Sequence, residues 1–558
     1  MVKGFTGLNL ETFWLILYPN EYSHYMSKIL FINPIIREED SPRHIPYGMA
    51  MLAAIVMKEG HQVQAFDANA WRPQNLERVL QDVLQADRWD IVAVGSLTTA
   101  HRCIKVIVQA IKRYAPTAKV VAGGGFLTSI PLDIMKLIPG IDIGVLGEAY
   151  LTFPDVVARI DRGDDDWSSC QGIIFRNGNG HIKMTDARPL LQDIDTLPFP
   201  AYDLWPLEEV YFKNSMVLLS AESMSAHRRL DINASYGCSL ICRYCWHLGS
   251  IGDMVQVDTP EGPDTRFTYA RNIRWHSPRY IVDLVKHVHE KYGVDFVSFL
   301  DENLMTMNAA TGGKWLPEIS RLWIEEGLQP SCIRDGVPHD PNKCRGVHFG
   351  GTSHAGLANA EVLRVLRDAG CSYLDYGLES FSDRVLKNIG KGSTAKNNER
   401  AIKITMEADI RPIPNQMIGF PDEFFDSILA TMDAWEKLGV VVYPFFATAY
   451  PGSEWYYTYK DKILAQYDGS LDAYLEDLGD ATKITGVISE NFTAVELLGL
   501  RELMVKFDRR KILEYEKAWR NLHGEPKIPK FVGSKLWDRI GDGGKIKLVE
   551  QGKSKELI

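Results

Sequence analysis

The 558-residue chain contains no uninterrupted apolar run long enough to cross a bilayer as a helix, which argues against a transmembrane helix. Its N-terminal stretch FWLILYPNEYSHYM is short and lacks a basic flank, so it does not read as an export signal. Excess basic charge is missing too. With 62 basic against 72 acidic residues the formal net charge is -10 at pH 7, and no nucleic-acid partner is expected of such a surface. Cysteine is sparse, 8 residues in the whole chain, which fits a reducing compartment better than a disulfide scaffold. A cytoplasmic protein is the expectation. At 45% hydrophobic and 24% charged residues the composition is that of a globular protein, too long for one domain.

What cysteine there is clusters. Cys238, Cys242 and Cys245 lie in the run YGCSLICRYCWH, directly after an apolar, strand-like segment. Thiolates are the soft ligands of iron–sulfur clusters, and three of them leave one iron of a four-iron cubane open to another molecule. A structural zinc site would want a fourth ligand; His247 could supply one only at cramped spacing. Cys103, Cys170, Cys332, Cys344 and Cys371 read as core residues.

Around the triplet the pattern is α/β. From Lys28 onward short apolar runs (KILFIN, HQVQAFD, DIVAVGS, AKVVAGGG, IDIGVLG) alternate with helical periodicity, which predicts a parallel, doubly wound, Rossmann-like sheet over 26–165. Ligands of such sheets sit beyond the carboxyl ends of the strands. Those ends carry Ser96, Leu97 and Thr98, then Gly123, Gly124 and Gly125, then Gly147 and Glu148. Consecutive glycines admit close approach of a ligand or a tight turn. Residues 1–25 read as an extension, or as the result of a start at Met1 where Met26 opens the first strand.

Residues 166–228 read as a hairpin around Asn-Gly (GIIFRNGNGHIKM) and a proline-punctuated connector. From 229 to 455 strands and helices alternate again, in DINASYG, VDFVSFLDE, PSCIRDG, YLDYGLES, RPIPNQMIGF and VVYPFFATAYPG, which predicts a partial (β/α)6 barrel with chemistry at the C-terminal strand ends. Residues 456–558 read as helical and charged, with a Gly/Lys-rich, mobile tail. Trp455, Tyr456, Tyr457 and Trp519 are pocket or core aromatics.

The triplet followed by Trp246 resembles the signature of the radical S-adenosylmethionine (SAM) enzymes. FLDENLMTM, YGLES, IGFPDE and AYPGSEWY are similar, in order, to strand motifs of the branch that holds the anaerobic Mg-protoporphyrin monomethyl ester cyclases and the cobalamin-dependent radical methyltransferases. AGGGFLTSIP and VLGEAYLTF resemble segments of that branch's cobalamin-binding domain. The resemblance implies a [4Fe-4S] cluster on Cys238, Cys242 and Cys245. It also implies SAM near Trp246, Glu379, Ser380 and Gly419, and cobalamin against Ser96 to Thr98, Gly123 to Gly125, Gly147 and Glu148. Reductive cleavage of SAM then yields a 5'-deoxyadenosyl radical, with an external one-electron donor such as flavodoxin or ferredoxin.

The activity implied is methylation of an unactivated carbon, or a phosphinate phosphorus, of a small-molecule or natural-product precursor; oxidative cyclisation without methyl transfer is the alternative. No Asp-x-His-x-x-Gly is present, and His44 and His101 read as ordinary polar histidines rather than cobalt ligands. Phe126 stands where the domain often has histidine. On the residues alone Glu379 could equally cap a helix beginning at Ser380, Asp301 could be an N-cap or, with Glu302, face a cofactor, and Gly419 could be a turn residue. A transfer-RNA methylthiotransferase is disfavoured because only Cys103 and Cys170 precede the triplet, and a sensor because no basic recognition stripe follows it.

Overall fold

The computed structural model describes residues 26–37, 42–213, 219–240, 242–245, 254–259, 262–267, 271–529, 546–550 and 553–557. Trp246 and His247 lie outside them. Strands β1 (Lys28–Asn33), β2 (Gln62–Asp67), β3 (Ile91–Gly95), β4 (Lys119–Gly123) and β5 (Ile143–Val145) form a parallel sheet in the order β2-β1-β3-β4-β5. β1, β3 and β4 are mostly apolar because helices cover both faces, while the edge strand β2 is mixed. Strand order reverses between β1 and β3, which opens a crevice at their carboxyl ends.

The hairpin found in the sequence, β6 (Ile173–Arg176) and β7 (Ile182–Met184), extends this sheet: β6 pairs antiparallel with β5 and β7 with β6. The tight turn reverses the chain from β6 to β7, whereas β5 reaches its antiparallel partner β6 through a longer connection that holds the helix Thr152–Asp161.

The second sheet is all parallel. β8 (Arg229–Ile232), β13 (Phe296–Phe299), β14 (His348–Ser353), β15 (Cys371–Glu379), β16 (Arg411–Ile418) and β17 (Phe445–Phe446) follow one another edge to edge. Six strands with intervening helices make a partial barrel. The helix Pro278–Tyr292 shows how the sequence builds its wall. The Ser277 side chain accepts from the Tyr280 N–H, Pro278 opens the first turn, and Gly293 at φ 68° ends it. Ile281, Val282, Leu284, Val285 and Val288 form its buried stripe.

The third barrel strand differs from expectation. PSCIRDG is not a strand: Ser331–Arg334 is a short helix, and the strand is HFGGTS. Its two glycines hid it, and both answer to neighbours. A Cβ on Gly350 would fall 2.3 Å from the Tyr373 ring, and one on Gly351 would fall 2.9 Å from Phe299 Cβ.

Between the first two barrel strands, β9 (Ser235–Tyr236) pairs antiparallel with β12 (Arg271–Trp275), flanking an antiparallel hairpin of β10 (Met254–Thr259) and β11 (Gly262–Phe267). After β17 the chain is helical to His523. The expected mobile tail instead supplies β18 (Ile546–Glu550), parallel to β12, and β19 (Lys553–Leu557).

The two sheets share a core. Ile29 and Phe31 of β1 belong to the same buried cluster as Ile232, Val297 and Phe349 of the barrel, while Leu30 and Ile32, on the opposite face, pack with Trp455 and Tyr474 beyond it. Alternation along a single strand thus bonds the N-terminal sheet to two partners. No helix among the described residues is long and apolar enough to cross a membrane.

Candidate active site

Two features meet where the carboxyl ends of the sheets face each other. The first is a cavity of ≈ 410 Å³ at the crevice of the N-terminal sheet. Ser96, Leu97, Gly123, Gly124, Gly125, Gly147 and Glu148 line it, together with Asn33, Tyr47 and Tyr150; Tyr236 closes it from the barrel side. Thr98 is buried behind this lining, at the start of the next helical turn. The glycines answer first to one another. A Cβ on Gly95 would lie 2.4 Å from the Gly123 carbonyl oxygen, and Gly124, at φ 87°, would put one 2.7 Å from that of Ser96. The closely packed glycines leave this stretch of the cavity wall as bare backbone.

Neither His44 nor His101 lines the cavity. His44 Nδ1 sits 2.9 Å from Asp231 on β8, and His101, fully buried, has Nε2 2.9 Å from Asp472. Phe126 is wholly buried.

Glu148 does more than line the cavity. Its carboxylate lies 2.7 Å from the Arg274 guanidinium on β12, with both side chains buried, and accepts the Leu191 N–H at 3.0 Å. Arg274 donates in turn to the Leu191 carbonyl and lies over the Tyr236 ring, whose hydroxyl accepts from Tyr150. The cavity wall and the strand leading into the cysteine loop are one hydrogen-bonded unit.

The second feature is that loop. Cys238, Cys242 and Cys245 are half-buried thiols beyond β9, turned back on themselves by the Cys245 N–H to Cys242 carbonyl bond at 3.0 Å. The loop is held from below by the segment after β15. The Arg243 N–H donates to the Ile389 carbonyl, and Tyr244 donates to Glu379 at 2.7 Å. Lys391 donates to the same Glu379 oxygen at 2.8 Å and to the Tyr244 hydroxyl at 3.0 Å. Burial pulls the Lys391 ammonium down, but the Glu379 carboxylate and Cys242 outweigh it and hold its pKa above the usual lysine value. Burial pushes the Cys242 thiol up, with Lys391 pulling against it.

Glu379 ends β15 in the left-handed region, at φ 62°, a strained conformation for this residue type. Gly377, on the same strand face, makes the room: a Cβ there would meet Glu379 Oε1 at 2.6 Å and Lys391 Nζ at 2.9 Å. Glu379 caps no helix, since the next begins at Asp383. Ser380 is buried, its hydroxyl accepting the Ser382 N–H. Gly419 follows β16 at φ 95° and donates its N–H to Glu423, whose carboxyl burial raises to about 7. Asp301 caps no helix either. It accepts from the Ala234 N–H and the Ser235 hydroxyl just before the cysteine loop, and burial raises it to about 7.

Sequence reasoning missed Lys391, Tyr244, Asp375 and Asn415. Asp375 shares the inward face of β15 with Gly377 and Glu379, donated to by Asn415 of β16, and burial lifts it to about 7. Glycines on both sides of Lys391, at φ 67° each, were the visible signal. Trp455 and Tyr456 are core residues, Trp455 packing on Tyr244 with ring centroids 5.5 Å apart. Tyr457 donates to the Ser129 carbonyl, and Trp519 to that of Asn491.

The radical SAM superfamily model matches residues 232–434 and the B12 binding domain model residues 35–157. A protein of Pyrococcus horikoshii described as an uncharacterized methyltransferase is 26% identical over 421 residues, 75% of this chain and 79% of that one. The anaerobic magnesium-protoporphyrin IX monomethyl ester cyclase of Synechocystis is 22% identical, across 71% of this chain and 69% of its own. Among solved structures, the radical SAM methyltransferase TsrM of Kitasatospora setae, with cobalamin and a [4Fe-4S] cluster bound, superposes with a TM-score of 0.54 at 18% identity, covering 77% of this chain and 76% of TsrM.

The chain belongs to the radical SAM enzymes, in the group that carries a B12-binding domain ahead of the barrel. Its cofactors are a [4Fe-4S] cluster, SAM and cobalamin. The residues fit them: soft thiol donors form one loop, and a wide, largely apolar cavity edged by glycine backbone opens at the switch point of the sheet.

Proposed function

We propose that the protein transfers a methyl group from SAM to an unactivated carbon, or a phosphinate phosphorus, of a small-molecule precursor, using cobalamin as the methyl carrier. The observation that carries this reading is Tyr236. It walls the corrin cavity and stands two positions before Cys238, so the two cofactor sites face each other across one strand end.

In this reading Cys238, Cys242 and Cys245 hold three irons, and Trp246, Glu379, Ser380 and Gly419 border SAM. Ser96, Leu97, Gly123 to Gly125, Gly147 and Glu148 cradle the corrin, with Thr98 buried behind them. Bound together, the groups supply one-electron cleavage of SAM and a methyl carrier. The chain's own residues do the positioning. Lys391 neutralises Glu379 and fixes Tyr244 beneath the thiols, while Arg274 neutralises Glu148 and orients Tyr236. Asp375 and Asn415, inside the barrel, are placed to orient a polar substrate. The electron comes from an external donor of the flavodoxin or ferredoxin kind.

The test is anaerobic incubation of reconstituted enzyme with SAM and a reductant. S-adenosylhomocysteine formed in step with bound cobalamin, alongside 5'-deoxyadenosine, supports methyl transfer. Deoxyadenosine alone overturns it in favour of the radical cyclisation that the Synechocystis relative's description suggests.

A further inference from the structure

At the opposite end of the barrel, four side chains converge that the radical chemistry does not use. Cys332 stands on the short helix after Pro330, His339 and Cys344 on the following loop, and His348 opens β14. One donor atom from each lies within 4.8 Å of all the others. Cys332 Sγ is 3.6 Å from His339 Nδ1 and 3.6 Å from His348 Nε2, and Cys344 Sγ is 3.8 Å from His348 Nε2. A tetrahedral zinc ion with the usual sulfur and nitrogen bond lengths requires edges of roughly 3.3–3.8 Å. Three of the measured edges therefore fit. The fourth, 2.7 Å between the two sulfurs, is longer than a disulfide bond and must open by about 1 Å to take an ion.

The outer contacts point the same way. His348 Nδ1 faces the Gly370 carbonyl at 3.3 Å, leaving Nε2 toward the sulfurs, and His339 Nε2 faces the Ser225 hydroxyl at 3.0 Å, leaving Nδ1 toward them. Such partners fix the tautomer and aim a ligating histidine. The Cys332 N–H also donates to the Cys344 sulfur at 3.4 Å. The two cysteines are not joined as a disulfide.

We propose that Cys332, His339, Cys344 and His348 bind one zinc(II) ion, a structural site separate from the iron–sulfur cluster. Two thiols and two imidazoles in a tetrahedron select zinc over the harder divalent ions. Four protein ligands leave no open position, so the ion ties chain together and performs no catalysis. It pins the long connection between β13 and β14 to the amino end of the barrel, where stability rather than chemistry resides. Through Ser225 it also holds the helix Ala221–Ser225, just ahead of β8. Binding displaces the two thiol protons.

The experiment measures zinc, iron and cobalt together in the anaerobically purified, reconstituted full chain and its variants. The expected result is one zinc per chain alongside the iron and the cobalamin cobalt. A Cys332→Ser/Cys344→Ser variant loses the zinc and keeps iron and cobalt. His339→Gln, at a half-exposed position and gentler on folding, loses zinc to a chelator faster than the parent. A Cys238→Ala/Cys242→Ala/Cys245→Ala variant does the reverse, losing iron and keeping zinc. Zinc that disappears with the second set and not the first overturns the assignment, as does a zinc-free protein. A Cys332–Cys344 disulfide recovered by alkylation and mass spectrometry from the anaerobic preparation overturns it too.

Discussion

The two ends of the barrel use cysteine in opposite ways. At the carboxyl ends of the strands three thiols share one loop, half-buried and braced from below by the buried Lys391–Glu379 pair. At the amino ends two thiols meet two imidazoles drawn from a longer stretch of chain, each imidazole aimed by an outer hydrogen bond. The first arrangement leaves coordination open and puts a strained residue, Glu379, beside it; the second closes on itself. The barrel thus keeps reactivity and anchoring at opposite ends of the same strands, as closed barrels do.

The largest effect expected from breaking the comparison is at the carboxyl end. Cys242→Ala should reduce SAM cleavage to background, read as 5'-deoxyadenosine, with cobalamin content unchanged. Lys391→Met should come next, because it strands the buried Glu379 carboxylate. Breaking such a pair costs about 3–5 kcal/mol, and the further change Glu379→Gln should restore much of that stability in thermal unfolding. Cluster content should fall with Lys391→Met and partly recover in the double variant.

Arg274→Met sharpens the comparison from the cavity side. Glu148 keeps the Leu191 N–H, so the loss should be smaller, about 3 kcal/mol, and should appear as faster release of cobalamin with iron retained. The smallest effect is pH-dependent. Burial raises Asp301 to about 7, so the folded chain holds a proton that the unfolded chain gives up above its ordinary carboxylate value near 4. Its destabilisation is absent below that value, grows as pH rises, and is complete above about 7. Asp301→Asn should therefore gain on the parent as pH rises from 4 to 8, measured as the difference in thermal midpoints.

Much of this was legible in the sequence. The triplet, the run of buried strands from KILFIN to IDIGVLG and the glycine-bearing strand ends are local signals, and local periodicity is what sequence displays best. What escaped depended on neighbours distant in the chain. HFGGTS did not read as a strand because only the packed Tyr373 and Phe299 explain its glycines. PSCIRDG looked extended but turns as a helix carrying Cys332. Cys332 and Cys344 read as core residues because their partners are histidines at irregular spacing. Glu148 was legible as a pocket residue, yet Arg274, which neutralises it, lies on β12, more than a hundred residues further on and in a separate small sheet. Lys391 showed only as Gly-Lys-Gly, and its role follows from the left-handed turn at Glu379.

The most direct test of the central claim is electron paramagnetic resonance of the anaerobically reduced protein, with and without SAM. A cubane signal that SAM perturbs, and that vanishes in Cys238→Ala/Cys242→Ala/Cys245→Ala, is the result predicted. A reduced protein with no such signal, whose three cysteines hold zinc instead, would contradict it.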